Sequence, residues 1–561
     1  MSSIFRIASV VFGISAASTA VLAAPPDYDI VIRGGRIVDG TGNPWFQGDL
    51  AIQGDRIAVV GRTIPGQGKR EIDARGLTVA PGFIDIHSHS DDSLLEDGDA
   101  QSKIRQGVTT EVLGESESAG PSRGKLKPGS AVVRGEKVEW TTLGGYFAAL
   151  ERGGVSVNVA SYCGLGSIWR CVLGDSFERP TAAQLQEIRL LLDEALRDGA
   201  IGLSSLLAGP PDLLATTDDI VELCREVARH GGRFSSHIRN EGTGVFDAVK
   251  EAISVGERAG VPVDIIHLKI ADQKLWGRMK EVVSLIAEAR RRGVDVQANV
   301  YPYTRGNNNL ASIIPPWAHE GGRAQLLERL HDPGARTRMK HDILEGLPGW
   351  YNHYLAVGGD WSRMLVNADL SPRNASEVGS TMDRILARRA EAGGPTDPLD
   401  RFFDFLAEEG GSVSTIYAHH TEEDMNLALA QPWCSVGSDG LASATEGSLR
   451  RGKPHPRSFG TFPRILGVYV REQHLLGLEE AVRKMTSANA AKIGARDRGL
   501  LLPGLRADVV AFDAEKIIDR STYLDPFQYP EGVEWVIVNG AVTIEQRRHT
   551  GARAGKVLRH E

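Results

Sequence analysis

The stretch 233-RFSSHIRNEGTGVFDAVKEAISVGERAGVPVDIIHLK-269 contains the pattern that decides the fold. Two short β-rich runs, residues 233–238 and 263–269, each carry a histidine near their end. Between them, apolar residues recur at steps of three and four, as on the buried face of an amphipathic helix. Gly260 stands where the C-cap of that helix is expected. The stretch therefore predicts a strand, a helix and a second strand.

The same unit recurs along residues 79–494. Eight apolar strands that alternate with amphipathic helices favour a (β/α)₈ TIM-like barrel of the α/β class. The long stretch at about 304–411, between the last two strands, is expected to be a partly helical insertion. The eight strands are expected in TVAPGFIDIHSH (78–89), GVTTEVLGE (107–115), SVNVASYC (156–163), AIGLSS (200–205), RFSSHI (233–238), VDIIHLK (263–269), VDVQANVYPY (294–303) and CSVGSDG (434–440).

The two ends of the chain have a different pattern. Residues 28–78 and 495–548 consist of short β-rich runs separated by turns, such as YDIVIRGGRIVDGTG near the start and VEWVIVNGAVTI near the end. A strand set of about 50 residues cannot bury both of its faces alone. We therefore expect the two segments to pair into one small β-sandwich domain.

Composition excludes several classes of protein. The chain has 561 residues, of which 41% are hydrophobic and 24% are charged, as in ordinary globular proteins. It has 64 basic and 72 acidic residues, so its formal net charge is −8. This acidic balance gives no electrostatic footprint for binding nucleic acid.

The first residues predict the location of the protein. Arg6 precedes an apolar stretch, and Val21-Leu22-Ala23 offers a cleavage site, so residues 1–23 are typical of a signal peptide. A permanent N-terminal anchor is the alternative. No later run reaches the ~18 apolar residues that a membrane helix needs. We expect an exported, periplasmic protein with no membrane contact after removal of the signal. There, Cys163 and Cys171 either form a disulfide or remain buried thiols.

Polar side chains at the strand ends carry the chemistry. In a barrel of this type the active site lies at the C-terminal mouth, where the strand ends meet. Residues two apart on a strand face the same side, so an H-x-H pair can reach one ion. Imidazole and carboxylate ligands suit Zn²⁺ or a similar divalent ion. The predicted ligands at strand ends are His87, His89, His237, His267 and Asp439.

The second strand adds a carboxylate candidate. Glu115 follows Gly114 at the point where the strand opens into the mouth, and from there it could bridge two ions. The alternative is that Glu111, Glu115 and Glu117 only solvate a loop.

These motifs, read together, resemble the amidohydrolase superfamily. APGFIDIHSHSD, QGVTTEVLGE, SHIRNEG, VPVDIIHLK, ANVYPYT, VGSDG and HPRSFGTFPRIL follow one another in an order similar to that of the D-aminoacylase (N-acyl-D-amino-acid deacylase) family. The resemblance runs from about Tyr28 to Asp513. It implies metal-dependent hydrolysis of the amide bond of an N-acyl-D-amino acid, with one or two divalent ions such as Zn²⁺.

The resemblance also implies roles for single residues. His87, His89, His237 and His267 match the family's metal-binding histidines. Asp439 matches the catalytic aspartate, which acts as general base and then as general acid. Three further positions match substrate-binding positions: Lys269, Tyr301 and Arg457.

One departure concerns the second strand. The family often has a metal-binding cysteine there, in the string GNC, and this chain has Ser116 at that position, preceded by Glu115. A carboxylate then replaces the thiolate, which favours a harder two-metal centre. Whether Glu115 or Ser116 is the ligand stays open at this point.

Alternative functions keep the fold. The same metal centre could act on a dipeptide, a cyclic amide or another amide bond, because one fold hosts many chemistries. A catalytically silent binding relative is the third reading, although such relatives usually lose ligands that are all present here. The expected partner is a small N-acyl amino acid or related amide, and the sequence leaves open whether the chain forms a homo-oligomer.

Overall fold

The structure is a computed structural model, and it describes residues 27–560. The predicted signal peptide, residues 1–23, lies outside the described residues. Strands occur at both ends of the described chain and alternate with helices between them. In chain order the strands are β1 (Tyr28–Ile37), β2 (Phe46–Gln53), β3 (Arg56–Gly61), β4 (Gly68–Asp73), β5 (Thr78–Pro81), β6 (Phe83–Asp85), β7 (Val108–Leu113), β8 (Gly129–Val133), β9 (Glu136–Trp140), β10 (Asn158–Ser161), β11 (Cys163–Gly164), β12 (Gly202–Leu206), β13 (Arg233–His237), β14 (Val263–Ile265), β15 (Val296–Val300), β16 (Gly306–Asn309), β17 (Met364–Val366), β18 (Ser414–Tyr417), β19 (Cys434–Val436), β20 (Val509–Phe512), β21 (Val533–Val538), β22 (Ala541–Glu545) and β23 (Arg548–His549).

The helices lie mainly between the parallel strands and in the segment before β19. In chain order they are α1 (Ser93–Glu96), α2 (Gln101–Ile104), α3 (Leu143–Gly153), α4 (Leu165–Leu173), α5 (Ala182–Arg197), α6 (Thr217–Arg229), α7 (Val245–Ala259), α8 (Met279–Arg291), α9 (Gly322–His331), α10 (Pro333–Glu345), α11 (His353–Ala356), α12 (Met382–Glu391), α13 (Pro398–Glu408), α14 (Glu422–Leu429), α15 (Arg457–Arg464), α16 (Leu478–Met485) and α17 (Ser487–Lys492). A π-helix, Ile465–Glu472, follows α15, and short 3₁₀ turns span Asp212–Leu214, Gln273–Leu275, Leu310–Ile313, Pro316–His319, Trp361–Arg363 and Ala375–Glu377.

The strands near the two termini share one nine-stranded sheet. Its order is β23-β22-β21-β20-β5-β1-β2-β3, with β4 beside β1. The contact between the two ends is antiparallel: Val510 of β20 lies opposite Ala80 of β5. Ile32, Leu50 and Val509 pack in one buried cluster, so neither end of the chain buries its apolar face without the other.

The parallel strands form two sheets whose strands succeed each other along the chain. One has the order β6-β7-β10 and the other the order β11-β12-β13-β14-β15-β19. Only Tyr162 separates β10 from β11. Amphipathic helices connect the strands; α6, for example, begins at a capping box made by Thr216 and Asp219. The carboxyl ends of these strands therefore face one edge, where the polar side chains lie.

The first expected strand of the barrel, residues 78–89, is two strands that belong to different sheets. β5 pairs in the terminal sheet, and β6 pairs in parallel with β7. Gly82 lies between them and donates its N–H to the Asp508 carbonyl. A Cβ at this position would lie 2.2 Å from the Thr109 hydroxyl oxygen, so only glycine fits at the junction. The two histidines follow β6 and do not lie within it.

The segment between β15 and β19 has a core of its own. Helices α9 to α13 pack around buried residues that include Leu310, Met339, Phe402 and Tyr417. The sequence predicted a partly helical insertion here, and it missed an antiparallel sheet with the order β16-β18-β17. β16 consists of Gly306 and three asparagines, a composition that does not favour a strand.

The four cysteines are buried free thiols, so Cys163 and Cys171 are not bonded to each other. The Cys171 thiol lies 3.6 Å from the Pro121 carbonyl oxygen, to which it donates. Within residues 27–560, no helix combines the length and apolar character needed to cross a bilayer.

Candidate metal centre and active site

The loop after β6 brings two histidines to two carboxylates. His87 Nε2 lies 2.7 Å from Glu115 Oε2. His89 Nε2 lies 3.1 Å from the same oxygen and 3.0 Å from Asp439 Oδ1. The His87 and Glu115 side chains are almost fully buried, whereas that of His89 is 40% exposed and lies toward the cavity described below.

The ends of β13 and β14 bring a second pair of histidines to the same place. His267 Nε2 lies 3.1 Å from His237 Nδ1. The same His237 Nδ1 lies 3.2 Å from Glu115 Oε1. The two oxygens of Glu115 therefore face different histidine pairs, as a bridging carboxylate would. Ser116 turns elsewhere: its hydroxyl lies near Asp212 and Gly166. The geometry thus favours Glu115 over Ser116 as the ligand.

The side chains present fit a divalent metal. Two sets of ligand atoms each lie within 4.8 Å of one another: His87, Glu115, His267 and Asp439 in one set, and His237, Glu241 and His267 in the other. In the described part of the chain, His237 Nε2 and His87 Nδ1 are buried without a hydrogen-bond partner. Buried polar atoms normally have a partner. Imidazole nitrogens and carboxylate oxygens converge here, and some of these atoms have no hydrogen-bond partner. Zn²⁺ prefers such nitrogen and oxygen ligands. The sequence predicted all of these side chains except Glu241.

Glu241 is the site residue that the sequence analysis missed. Its Oε1 accepts a hydrogen bond from Lys269 Nζ at 2.5 Å and lies 3.0 Å from His267 Nδ1. A carboxylate on the far nitrogen of a ligating histidine fixes the ring and its tautomer. The one signal in the sequence is an acidic residue four positions after His237, in a loop whose path the sequence does not reveal.

The three predicted substrate-binding residues occupy different positions. Arg457, at the start of α15, lines the cavity, and its Nη1 lies 2.7 Å from Asp439 Oδ2. Lys269 is buried behind His267 in the ion pair with Glu241. Tyr301 is also buried, and its ring lies under the Arg457 guanidinium at 4.9 Å. Their roles toward a substrate stay predictions.

A buried charged network holds the two loops of the site together. Lys103, on α2, has a fully buried ammonium 2.8 Å from Asp85 Oδ2. It also donates to Ser438 Oγ at 2.8 Å and to the Gly440 carbonyl at 2.9 Å. Ser438 N in turn donates to Asp85 Oδ1 at 2.8 Å. The network therefore ties the end of β6, which precedes the first two histidines, to the loop that carries the aspartate.

Three site residues have left-handed backbone conformations. The φ angle is +52° at Asp439, +52° at Ser116 and +38° at His267. Such angles are unfavourable for residues other than glycine, and they persist where the surrounding structure imposes them, often at functional sites. Here they occur in the turns that follow β19, β7 and β14.

Burial and close charges set the protonation of the site. Burial alone would lower the pKa of His89, but its hydrogen bonds to Asp439 and Glu115 raise it to about 10. Burial opposes ionisation of Asp439, and a neighbouring guanidinium and imidazoles nevertheless hold its pKa well below the usual range. The pKa of His267 is lowered to about 4, mainly by burial and secondly by the positive charge of Lys269. A metal therefore meets ionised carboxylates and must displace a proton from His89.

A cavity of about 630 Å³ lies over this cluster. His89, Glu115, His237 and Asp439 contribute to one side of it, and Arg457 lines it as well. Asparagines of β16 and the loop around Arg451 line other parts. A concave site of this size with converging polar groups is typical of a small-molecule site.

A family model described as "Amidohydrolase family" matches residues 70–544, which include every residue of the cluster. The chain belongs to the amidohydrolase family. This amidohydrolase is 32% identical over 540 residues to D-aminoacylase from Alcaligenes xylosoxydans xylosoxydans, a match that covers 95% of this chain and 97% of that protein.

Solved structures agree with the sequence comparison. N-acyl-D-glutamate deacylase from Bordetella bronchiseptica, complexed with zinc and a phosphonate inhibitor that mimics the tetrahedral intermediate, superposes with a TM-score of 0.78 at 32% identity. That match covers 95% of this chain and 99% of the other. A D-aminoacylase structure with a binuclear metal centre gives a TM-score of 0.77 at 33% identity and covers 95% and 100% of the two chains.

Several predictions from the sequence are confirmed by these comparisons. The chain is a relative of the D-aminoacylases, its fold is a mixed α/β fold of the TIM-barrel type, and it belongs to a family of hydrolases that act on carbon–nitrogen bonds other than peptide bonds. Zinc and a binuclear centre occur in its structural relatives, and this amidohydrolase has residue groups able to hold a metal.

Proposed function

We propose that this amidohydrolase hydrolyses the amide bond of N-acyl-D-amino acids with the help of one or two divalent ions, of which zinc is the first candidate. The position of Glu115 is the observation that carries the proposal, because its two oxygens face the two histidine pairs beneath a cavity of substrate size. Relatives that match nearly the whole chain act on such substrates by name.

The ligands of the metal would be four histidines and two carboxylates: His87, His89, Glu115, His237, His267 and Asp439. A bound zinc ion supplies a Lewis acid and lowers the pKa of water toward ~7. Glu241 and Lys269 are positioning residues in this proposal, because their ion pair contacts His267 and holds its ring in place.

Asp439 is the proton carrier in this proposal. The Asp439 carboxylate lines the cavity and, when ionised, can accept a proton from the attacking water. Its Oδ1 faces His89 and its Oδ2 faces Arg457, and this fixes both oxygens at the cavity. The same carboxyl group returns the proton to the leaving nitrogen, which departs as a neutral amine.

Arg457 is the best-placed partner for the carboxylate of the substrate. It lines the cavity, and its guanidinium can form two parallel hydrogen bonds to a carboxylate. Arg457 also pairs with Asp439, but a guanidinium has five N–H donors and this one lines the cavity. Lys269 is buried in its ion pair with Glu241 and does not line the cavity. Binding the carboxylate beside Asp439 would hold the amide near the proton carrier.

A chiral substrate panel tests the proposal. N-acetyl-D- and N-acetyl-L-amino acids are offered to the purified protein as isolated, after chelation and dialysis, and after re-addition of zinc. We expect hydrolysis of the D series only, loss after chelation and recovery with zinc. Equal rates for both enantiomers, or hydrolysis only of dipeptides or cyclic amides in a parallel panel, would contradict the proposal.

We also infer that the two parallel sheets are parts of one (β/α)₈ barrel, in which β10 and β11, separated by Tyr162 alone, count as one of the eight strands. Two contacts support closure: Ser88 beside β6 bridges in parallel to Gly440 beyond β19, and Ile201 donates to the Ser161 carbonyl across the other gap. The boundaries proposed for the barrel are 79–494. The terminal sheet, from 28–78 and 495–548, is proposed to fold as a β-sandwich around the cluster that contains Ile32 and Val509.

Export to the periplasm is a separate proposal. It is supported by Arg6, the apolar stretch that follows it, and the Val21-Leu22-Ala23 cleavage pattern. N-terminal sequencing of the protein from a periplasmic extract tests it. We expect a mature chain that begins at Ala24, and an intact N-terminus in the cytosolic fraction would contradict export.

A further inference from the structure

His267 lies at the point where the regular pairing of β14 with β15 stops. In that pairing Ile265 lies opposite Ala298. Continuing the parallel ladder by two residues would bring the His267 N–H to the Asn299 carbonyl. Leu268 donates to that carbonyl instead, at 2.8 Å. The strand therefore contains one residue more than the ladder needs, as in a β-bulge.

The displaced N–H of His267 has a side chain as its acceptor. It donates to Asn299 Oδ1 at 3.0 Å, so Asn299 binds His267 through its side chain and Leu268 through its main chain. The φ angle of His267 is +38°, a conformation that persists only where neighbouring groups impose it. The hydrogen bond to Asn299 is a contact that holds the backbone of His267 in this conformation.

Two charged residues fix the amide of Asn299 in its orientation. Asn299 Nδ2 donates to Asp264 Oδ2 at 2.9 Å. Lys492, on α17, donates to Asp264 Oδ1 at 2.5 Å and to the Ala298 carbonyl at 2.7 Å. All three side chains of this chain of contacts are buried. An ionised carboxylate only accepts and a backbone N–H only donates, so position 299 needs one donor and one acceptor, which an amide supplies.

The imidazole of His267 reaches the metal cluster from this bulge. Its Nε2 lies 3.1 Å from His237 Nδ1, and its Nδ1 lies 3.0 Å from Glu241 Oε1. Glu241 therefore contacts the ring, whereas Asn299 contacts the backbone that carries it. Bulges beside active sites re-aim a side chain. If the His267 N–H returned to the carbonyl of residue 299, the extra residue would be lost and the direction of the imidazole would change.

We propose that Asn299 is a positioning residue of the metal centre. It holds the bulge at His267 and thereby aims the imidazole at the ion, while Asp264 and Lys492 keep its amide in the orientation that this requires. The inference rests on the proposed function in one respect, because it takes His267 as a ligand of a divalent ion. It does not depend on which amide bond is hydrolysed.

Asn299→Leu tests the proposal, because leucine has nearly the shape of asparagine and neither its donor nor its acceptor. The buried His267 N–H then lacks its acceptor, which favours its return to the ladder. The dissociation constant of zinc is measured by competition with a chromogenic chelator. Loss of an outer contact of a metal ligand typically weakens binding about 10–100-fold, so we expect at least tenfold weaker binding.

Asn158→Leu is the matched control. Asn158 is equally buried and also donates to a buried carboxylate, that of Asp508 at 3.1 Å, which pairs with Arg498. Its hydrogen bonds go to residues outside the metal cluster. We expect its zinc affinity to stay within about threefold of wild type, below the effect of a lost outer contact. Equal zinc affinities of the two leucine variants would overturn the inference.

An exchange of the two side chains provides the rescue. In Asn299→Asp with Asp264→Asn, the carboxylate accepts from the His267 N–H, and the amide donates to the carboxylate and accepts from Lys492. Every hydrogen bond of the network is kept, so zinc affinity should return to within about threefold of wild type. A folded exchange variant that binds zinc as weakly as Asn299→Leu would overturn the inference. Asn299→Ser, whose hydroxyl is too short to span both partners, replaces Asn299→Leu should the latter not fold.

The visible spectrum of the cobalt-substituted protein separates positioning from a general effect on stability. Its bands depend on the ligands and geometry of the ion. We expect altered bands in Asn299→Leu, and wild-type bands in Asn158→Leu and in the exchange variant. A merely structural role would lower the free energy of unfolding in both leucine variants and leave the bands of both unchanged.

These measurements also separate the inference from the proposed function, because they need no substrate. Weaker zinc binding and altered cobalt bands in Asn299→Leu support the inference even where no N-acyl-D-amino acid is hydrolysed, in which case only the proposed function fails. Hydrolysis of the D series with unchanged zinc affinity and bands in Asn299→Leu overturns the inference and leaves the proposed function standing. A wild-type protein that binds neither ion overturns both.

Discussion

Replacing Lys103 by methionine tests the claim that a buried ion network holds the metal-site loops together. The ammonium and its partner carboxylate on Asp85 are both fully buried. Removing one member of a buried pair typically costs about 3–5 kcal/mol, because the other charge stays buried without its partner. Ser438 still donates to Asp85 through its backbone N–H and its hydroxyl, so the lower end of that range applies. We therefore expect the free energy of unfolding to fall by about 3 kcal/mol.

Urea denaturation of the metal-free protein measures this change, so that metal loss does not contribute to it. Lys516→Met is the matched control: Lys516 lies 2.8 Å from Asp513, but its side chain is 77% exposed, so its removal should lower the unfolding free energy far less than Lys103→Met does. The double substitution Lys103→Met with Asp85→Asn removes the charge of Asp85 and should recover part of the loss, while Glu111, 3.6 Å from the wild-type ammonium, remains as a second buried carboxyl group. If Lys103→Met costs no more than Lys516→Met, the ammonium does not stabilise these loops and the reasoning is refuted.

Three further outcomes follow from the site and its surroundings. Asp439→Asn should retain metal, as measured by elemental analysis. Its turnover should fall by about 10²–10⁴-fold, because the amide cannot accept the proton. Turnover within tenfold of wild type would show that Asp439 is not the proton carrier. Glu115→Gln should lower the metal-to-protein ratio after dialysis, whereas Ser116→Ala should leave it unchanged, and the reverse order would make Ser116 the ligand. Burial lowers the pKa of His353 to about 4, so below its ordinary value of 6.5 the unfolded chain binds this proton before the folded chain does. The contribution of neutral His353 to stability is therefore complete above pH 6.5 and is lost as the pH falls toward 4. His353→Gln should make the unfolding free energy decrease less steeply across that interval. An unchanged slope would count against this assignment.

The convergence of the metal cluster was predictable because it depends on strand order. A histidine at the end of each of two parallel strands, as at His237 and His267, is placed at the same edge of a sheet by the fold alone. Glu115 was predictable for the same reason, since it directly follows β7. The sequence could not decide between Glu115 and Ser116, because that choice depends on a left-handed turn at Ser116 that only the structure reveals.

Residues that act from behind the cluster were not predictable. Lys103 lies on a short helix and resembles any surface lysine, and only the packing of α2 against β6 and the loop after β19 buries its ammonium. Glu241 follows β13 in a loop that returns toward His267, and loop paths have no periodic signal. Lys269 was assigned to the substrate by resemblance, and that role stays a prediction. Its ion pair with Glu241 was not predictable, because it joins two separate loops.

The fold was predictable where periodicity is strong and less so at junctions. The helices between the strands have clear three- and four-residue spacing, and they occur close to the expected positions. The split at Gly82 was missed because β5 and β6 are both apolar and only three-dimensional packing assigns them to different sheets. The sheet of β16 to β18 was missed because tertiary contacts override the weak strand propensity of its asparagines.

Anomalous X-ray diffraction at the zinc absorption edge, on crystals grown with zinc, tests the central claim most directly. The account predicts a peak between Glu115 and the histidines after β6, at the end of β13 and after β14, at the ligand distances of about 2.0–2.2 Å that zinc adopts with nitrogen and oxygen. A map without a peak beside Glu115, or with its strongest peak at the surface group of Asp193, Glu226 and His230, would contradict it.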